Sequence, residues 1–160
     1  MANILSPLQS NKYTIKNSQE FAEVIKDYSV SADEILVSFD VVSLFTSIPT
    51  ALALEVSEQR LEQDVNLKER TNLSVTNIMK LLEFVLDNNY FVFQGTHYKQ
   101  VFGCPMGSPV SAILANLVME HIEEEALNTE PHPPRNGGSD TWMTAMFASN
   151  ASSSTSSITI

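Results

Sequence analysis

The residue in this chain best placed for metal chemistry is Asp40, which directly follows a short apolar run. Residues 35–39 read Ile-Leu-Val-Ser-Phe after the acidic pair Asp33-Glu34, a pattern typical of a strand buried on both faces. A carboxylate at the end of such a strand is held by a rigid scaffold and can present oxygens to a hard cation such as Mg²⁺. Asp at a strand end also commonly forms a turn or caps a helix, and both roles stay open for Asp40.

A second stretch with chemical potential is residues 101–111, which read Val-Phe-Gly-Cys-Pro-Met-Gly-Ser-Pro-Val-Ser. Ser108 is a plausible N-cap and Pro109 suits the first helical position. The glycines then lie in a loop at a helix N-terminus, where free N–H groups and little side-chain bulk suit a phosphate or a nucleotide. For Gly107 alone, a tight loop that needs glycine for its conformation is the competing interpretation.

The elements around these stretches follow from periodicity and capping. The residues after Pro109 predict a helix from their three-and-four apolar spacing, with inward positions Val110, Ile113, Leu114, Leu117, Val118 and Ile122. Upstream, a capping box at residues 17–20 predicts a helix that ends near Tyr28 and packs Phe21, Val24 and Ile25 into a core. Residues 1–16 are expected to form a short ordered or frayed lead-in.

Two more helices and a hairpin are predicted between the two stretches. The first helix runs from Thr50 to about Asp64 and is expected to turn Leu54, Leu61 and Val65 inward and Glu55, Glu58 and Glu62 toward solvent. The second is capped by Ser74 or Thr71 and carries the apolar residues Ile78, Leu81, Leu82, Val85 and Leu86. Residues 90–101 predict a β-hairpin that turns at Gly95. Its aromatic residues could stack on bases, but core packing is favoured.

Composition limits the classes of partner. The formal net charge is −10, the wrong sign for autonomous nucleic-acid binding, which depends on clustered Lys and Arg. The single cysteine, Cys104, excludes an intrachain disulfide and favours an intracellular compartment. Neither a signal peptide nor a transmembrane run is recognisable. His97, His121 and His132 lack partners at zinc-ligand spacing.

Taken together, the two stretches resemble the reverse transcriptase domain of Penelope-like retroelements, a group allied to telomerase. The resemblance rests on Phe-Asp-Val-x-Ser-Leu-Phe-Thr-x-Ile-Pro and, about sixty positions later, Gly-x-Pro-Met-Gly-Ser-Pro, and it covers roughly residues 1–130. These stretches correspond to polymerase motifs A and B. The fold class implied is α+β, a fragment of a right-hand polymerase palm. The implied activity is RNA-directed DNA polymerisation in retrotransposition with Mg²⁺, template RNA, a DNA primer and deoxynucleoside triphosphates.

The resemblance also implies residue roles. Asp40 would be the catalytic metal ligand, helped by the backbone carbonyl of Val41, and Phe45 would be the aromatic gate that excludes a ribose 2′-hydroxyl. The loop residues would lie against the incoming nucleotide and the template base, namely Met106, Gly107, Ser108 and Pro109. Two-metal phosphoryl transfer needs further carboxylates, which the family takes from a Tyr-x-Asp-Asp hairpin after motif B. That tetrapeptide is missing from this sequence.

The tail, residues 131–160, differs from the rest of the chain. Periodicity ends near Arg135, and residues 148–160 are a Ser/Thr-rich low-complexity run predicted to be disordered. Trp142-Met143-Thr144 is encoded by TGG ATG ACN, and joining the last base of each codon to the next two bases gives GAT GAC, which is Asp-Asp. The same shift can turn residues 136–142 into Trp-Trp-Phe-Arg-Tyr-Val. We therefore hypothesise that the chain from about Asn136 onward is an out-of-frame translation.

The sequence therefore predicts a truncated palm at residues 1–130 that lacks motif C and the fingers and is inactive as written. Weak or no nucleic-acid binding is expected from so acidic a chain. The alternatives are a noncatalytic acidic protein-interaction module and a non-functional retroelement remnant.

Overall fold

The computed structural model describes residues 1–9, 15, 17–27, 29 and 41–129 of the chain. The chain divides into two compact units, one formed by Met1–Lys12 with Val41–Asp140 and the other by Tyr13–Asp40 with Thr141–Ile160. The described residues form a small α+β fold, mostly helical, with a two-stranded antiparallel sheet. The predicted α+β class is confirmed at this level. The predicted strand at residues 35–39, Asp40 and the tail lie outside the described residues.

The first unit contains nearly all of the described elements. In chain order they are α1 (Ala2–Leu5), a 3₁₀ turn (Ser6–Leu8), α3 (Leu44–Ser47), α4 (Thr50–Glu62), α5 (Leu67–Arg70), α6 (Val75–Asp87), β1 (Tyr90–Phe93), β2 (Thr96–Lys99) and α7 (Pro109–Thr129). The N-terminal residues are packed rather than frayed, because Leu5 and Leu8 are buried.

The second unit contains α2 (Ser18–Ile25). Its start was predicted correctly: the Glu20 backbone N–H donates to Asn17 Oδ1 at 2.9 Å, which satisfies one of the free donors of the first turn. The helix ends at Ile25 rather than near Tyr28. The expected core packing of this helix is wrong for the described residues, since none of its residues is buried and Val24 is 46% exposed.

The core of the first unit lies where α4 packs against both α6 and α7. The apolar spacing of each helix brings its buried residues onto one side, as expected for amphipathic helices. The largest fully buried apolar side chains include Leu61, Ile78, Leu82, Leu114 and Leu117. Burial of each large aliphatic side chain stabilises the folded state by roughly 1.5–3 kcal/mol. These contacts are therefore the main source of stability in the described fold.

An ion-pair cluster joins α4 to α7 beside this core. Arg60 Nη2 donates to Glu124 Oε2 at 3.0 Å and lies 3.8 Å from Glu120 Oε2. Burial raises the pKa of Glu123, and the neighbouring carboxylates of Glu120 and Glu124 raise it further. Arg60 therefore links α4 to α7 at a cluster of acidic side chains.

In the first unit, three aliphatic side chains predicted to face the core are exposed. Val65 is 91% exposed because α4 ends at Glu62, so Val65 falls in the following turn instead of on the helix face. Leu81 and Ile122 lie at the margins of the apolar stripes of α6 and α7 and are 45% and 44% exposed. The predicted solvent positions Glu55, Glu58 and Glu62 are confirmed as exposed.

The predicted β-hairpin is confirmed, but its predicted burial is wrong. Phe93 and Thr96 are opposite each other, and the turn residues Gln94 and Gly95 both have positive φ angles of 49° and 79°, as a type I′ turn requires. All eight strand residues are exposed. Phe91 and Tyr98 stack on each other with ring centroids 5.5 Å apart, so the aromatic rings pack across the hairpin instead of into the core.

Candidate functional site

The first predicted site segment, residues 41–49, folds into a compact turn around α3. Ser43 precedes α3 with φ 53° and ψ 45°, in the left-handed region. The Thr46 hydroxyl donates to the Ser43 carbonyl at 3.0 Å, and the Ser47 hydroxyl donates to the Val42 carbonyl at 3.2 Å. These bonds satisfy backbone acceptors within the turn and hold it in one conformation. Asp40, immediately before this turn, lies outside the described residues, whereas Val41 is described and is half-buried.

The second predicted site segment, residues 101–108, is a loop that leads into α7. Pro109 is the first helical residue, as predicted, and the Ser111 N–H donates to the Ser108 carbonyl at 3.1 Å in the first turn. Gly103 and Gly107 have φ angles of 76° and 86°, a region that L side chains rarely adopt. The expectation that the glycines form a loop at a helix N-terminus is therefore confirmed.

The structure brings the two segments into direct backbone contact. The Cys104 N–H donates to the Phe45 carbonyl at 2.7 Å. A Cβ placed on Gly103 would lie 2.7 Å from both Cα and the carbonyl oxygen of Thr46, and 2.8 Å from the carbonyl oxygen of Phe45. Glycine is thus required at position 103 for close approach as well as for its φ angle.

Gly107 differs from Gly103 in its surroundings. A Cβ at Gly107 would meet nothing within 4 Å, and the neighbouring Met106 is 70% exposed. Pro109 is also exposed, and Ser108 is half-buried. Around Gly107 the loop therefore leaves open space that a ligand could occupy, while four residues earlier the same loop is fixed tightly against α3.

Phe45 lies where the α3 segment meets the loop of residues 101–108. Its side chain is partly buried and packs against the core, and its carbonyl accepts the bond from Cys104. Burial raises the pKa of the Cys104 thiol, which keeps this side chain protonated and suits it to packing instead of nucleophilic chemistry. Of the predicted site residues, the structure therefore joins Phe45 to the loop that carries Met106, Gly107, Ser108 and Pro109.

Two pockets flank this junction. An apolar one of about 100 Å³ lies between the α3 segment and α7, and its lining includes Val41, Leu44, Leu52, Val118 and Ile122. The other, of about 160 Å³, is lined by Thr50, Leu86, Asp87, Lys99, Gln100, Val101, Phe102 and Gly103. Their sizes suit a few waters or a small group, well below the several hundred Å³ typical of drug-sized ligand sites.

Metal binding was predicted at Asp40, which lies outside the described residues. Within residues 1–9, 17–27 and 41–129, no three His, Cys, Asp or Glu side chains are grouped so that they could hold a metal ion. The side chains present there do not fit a two-metal centre. Every helix within the same ranges is too short or too polar to cross a bilayer.

Gly103 and Cys104 are the contact residues that sequence reasoning missed. Their place in a Gly-Cys-Pro-Met-Gly run marks a loop, but only the tertiary structure distinguishes the crowded glycine from the open one. Comparison with known proteins adds no assignment: the chain matches no protein-family model, no curated protein and no solved structure.

Proposed function

We propose that this chain is a partial reverse transcriptase palm of the Penelope-like type, with motif A at residues 38–49 and motif B at residues 101–111. The observation that supports this most is the 2.7 Å hydrogen bond from the Cys104 N–H to the Phe45 carbonyl. It joins two segments that each carry residues suited to metal or nucleotide binding and that are about sixty residues apart in sequence. A shared nucleotide site requires them to be neighbours.

The contrast between Gly103, which is packed against α3, and Gly107, which has open space around it, also supports a nucleotide-facing loop. Gly103 anchors the loop against Thr46, whereas Met106 and Gly107 leave open space beside the anchored part. In the proposed palm, Phe45 restricts the sugar of the incoming nucleotide, and Met106, Gly107, Ser108 and Pro109 lie against its base and the template. A rigid anchor next to an open surface is what precise substrate positioning requires.

The proposed Mg²⁺ site is incomplete in this chain. Asp40 is proposed as a Mg²⁺ ligand with the carbonyl of Val41, but phosphoryl transfer by two metals needs several carboxylates. The described residues offer no such group, and Tyr-x-Asp-Asp is missing from the sequence. We therefore propose that template RNA, primer and deoxynucleoside triphosphates are the partners of the intact palm, and that the 160-residue chain does not turn them over.

A primer-extension assay tests this inactivity. The purified 160-residue chain, with an RNA template, an annealed DNA primer, the four deoxynucleoside triphosphates and Mg²⁺, is expected to give no product above that of an Asp40→Asn control. The reason is that a single carboxylate cannot position both cations. Template-directed extension that depends on Mg²⁺ and is abolished by Asp40→Asn would contradict the proposed inactivity while supporting the polymerase lineage.

A noncatalytic acidic interaction module is the second candidate, and the net charge of −10 favours it. Such a module has no need of Mg²⁺ and tolerates Asp40→Asn. A palm that retains part of its metal site gains thermal stability from Mg²⁺ in a saturable manner and loses that gain in Asp40→Asn. Thermal unfolding of both proteins across a Mg²⁺ titration therefore separates the two candidates.

A further inference from the structure

We draw no further inference here: the strongest candidate, the exposed aromatic surface patch on the β1–β2 hairpin, carries nothing because its rings are divided between the two faces of the hairpin and nothing in the described part of the chain shows what covers them.

Discussion

Gly103→Ala is expected to destabilise the chain by about 2–5 kcal/mol. The left-handed φ of 76° costs an L side chain about 1–2 kcal/mol, and forcing a methyl group into a packed site costs about 1–3 kcal/mol more. The new Cβ would lie 2.7 Å from the Thr46 backbone, which cannot rotate away as a flexible side chain would. Urea unfolding followed by far-UV circular dichroism measures the loss.

Gly107→Ala is the control for this prediction. Its φ of 86° carries the same conformational cost, about 1–2 kcal/mol, but a Cβ there meets nothing within 4 Å. The difference between the two variants therefore isolates the contact between the loop and α3. Equal losses in Gly103→Ala and Gly107→Ala would show that the two segments do not touch in solution.

Leu82→Ala is expected to cost about 2–5 kcal/mol, the range for truncation of a fully buried leucine. Leu82 is 0% exposed and lies on the face of α6 that α4 covers, so the cavity left behind is enclosed by helices that can close only partly. Chemical denaturation again gives the free energy of unfolding directly.

Leu81→Ala is the matched control in the same helix. Leu81 is 45% exposed, and substitution of a surface residue away from special features normally changes stability by about 0.5 kcal/mol or less. A large loss in Leu81→Ala together with a small one in Leu82→Ala would mean that α6 is rotated about its axis relative to the structure described.

The helices could be predicted because their signals are local. Asn17 and Ser74 accept hydrogen bonds from backbone N–H groups three residues on, as their positions indicated, and the apolar spacing of α7 identified Leu114 and Leu117 as core residues. The turn at Gly95 is likewise a local signal, and it predicted the hairpin correctly. Capping, periodicity and turn chemistry act over a few residues and can be recognised without the rest of the chain.

The errors arose where burial depends on distant parts of the chain. The aromatic residues of β1 have the pattern of packed residues, but that pattern contains no information on whether another element covers them. The inward prediction for Val65 is wrong because α4 ends at Glu62, about two residues before the predicted end near Asp64. Gly103 and Gly107 look equivalent in sequence, and only the approach of Thr46 distinguishes them.

The candidate site was predictable in part. The loop before α7 could be predicted from Ser108 and Pro109, whereas the backbone contact between Phe45 and Cys104 is seen only in the structure. Neither composition nor spacing alone could have placed two segments about sixty residues apart side by side. The role of Asp40 stays a prediction, because this residue lies outside the described ranges.

The nucleotide sequence of the transcript across the codons for residues 136–144 tests the proposed lineage most directly. If the tail is an out-of-frame translation of a palm, the codons for Asn136, Gly137, Gly138 and Asp140 each end in T and the codon for Ser139 ends in A or C. The shifted frame then reads Trp-Trp-Phe-Arg-Tyr and continues through Val, Leu or Met into Asp-Asp. Other third bases at these codons, or a stop codon in the shifted frame before Asp-Asp, would contradict the frame shift and leave Asp40 without its proposed partners.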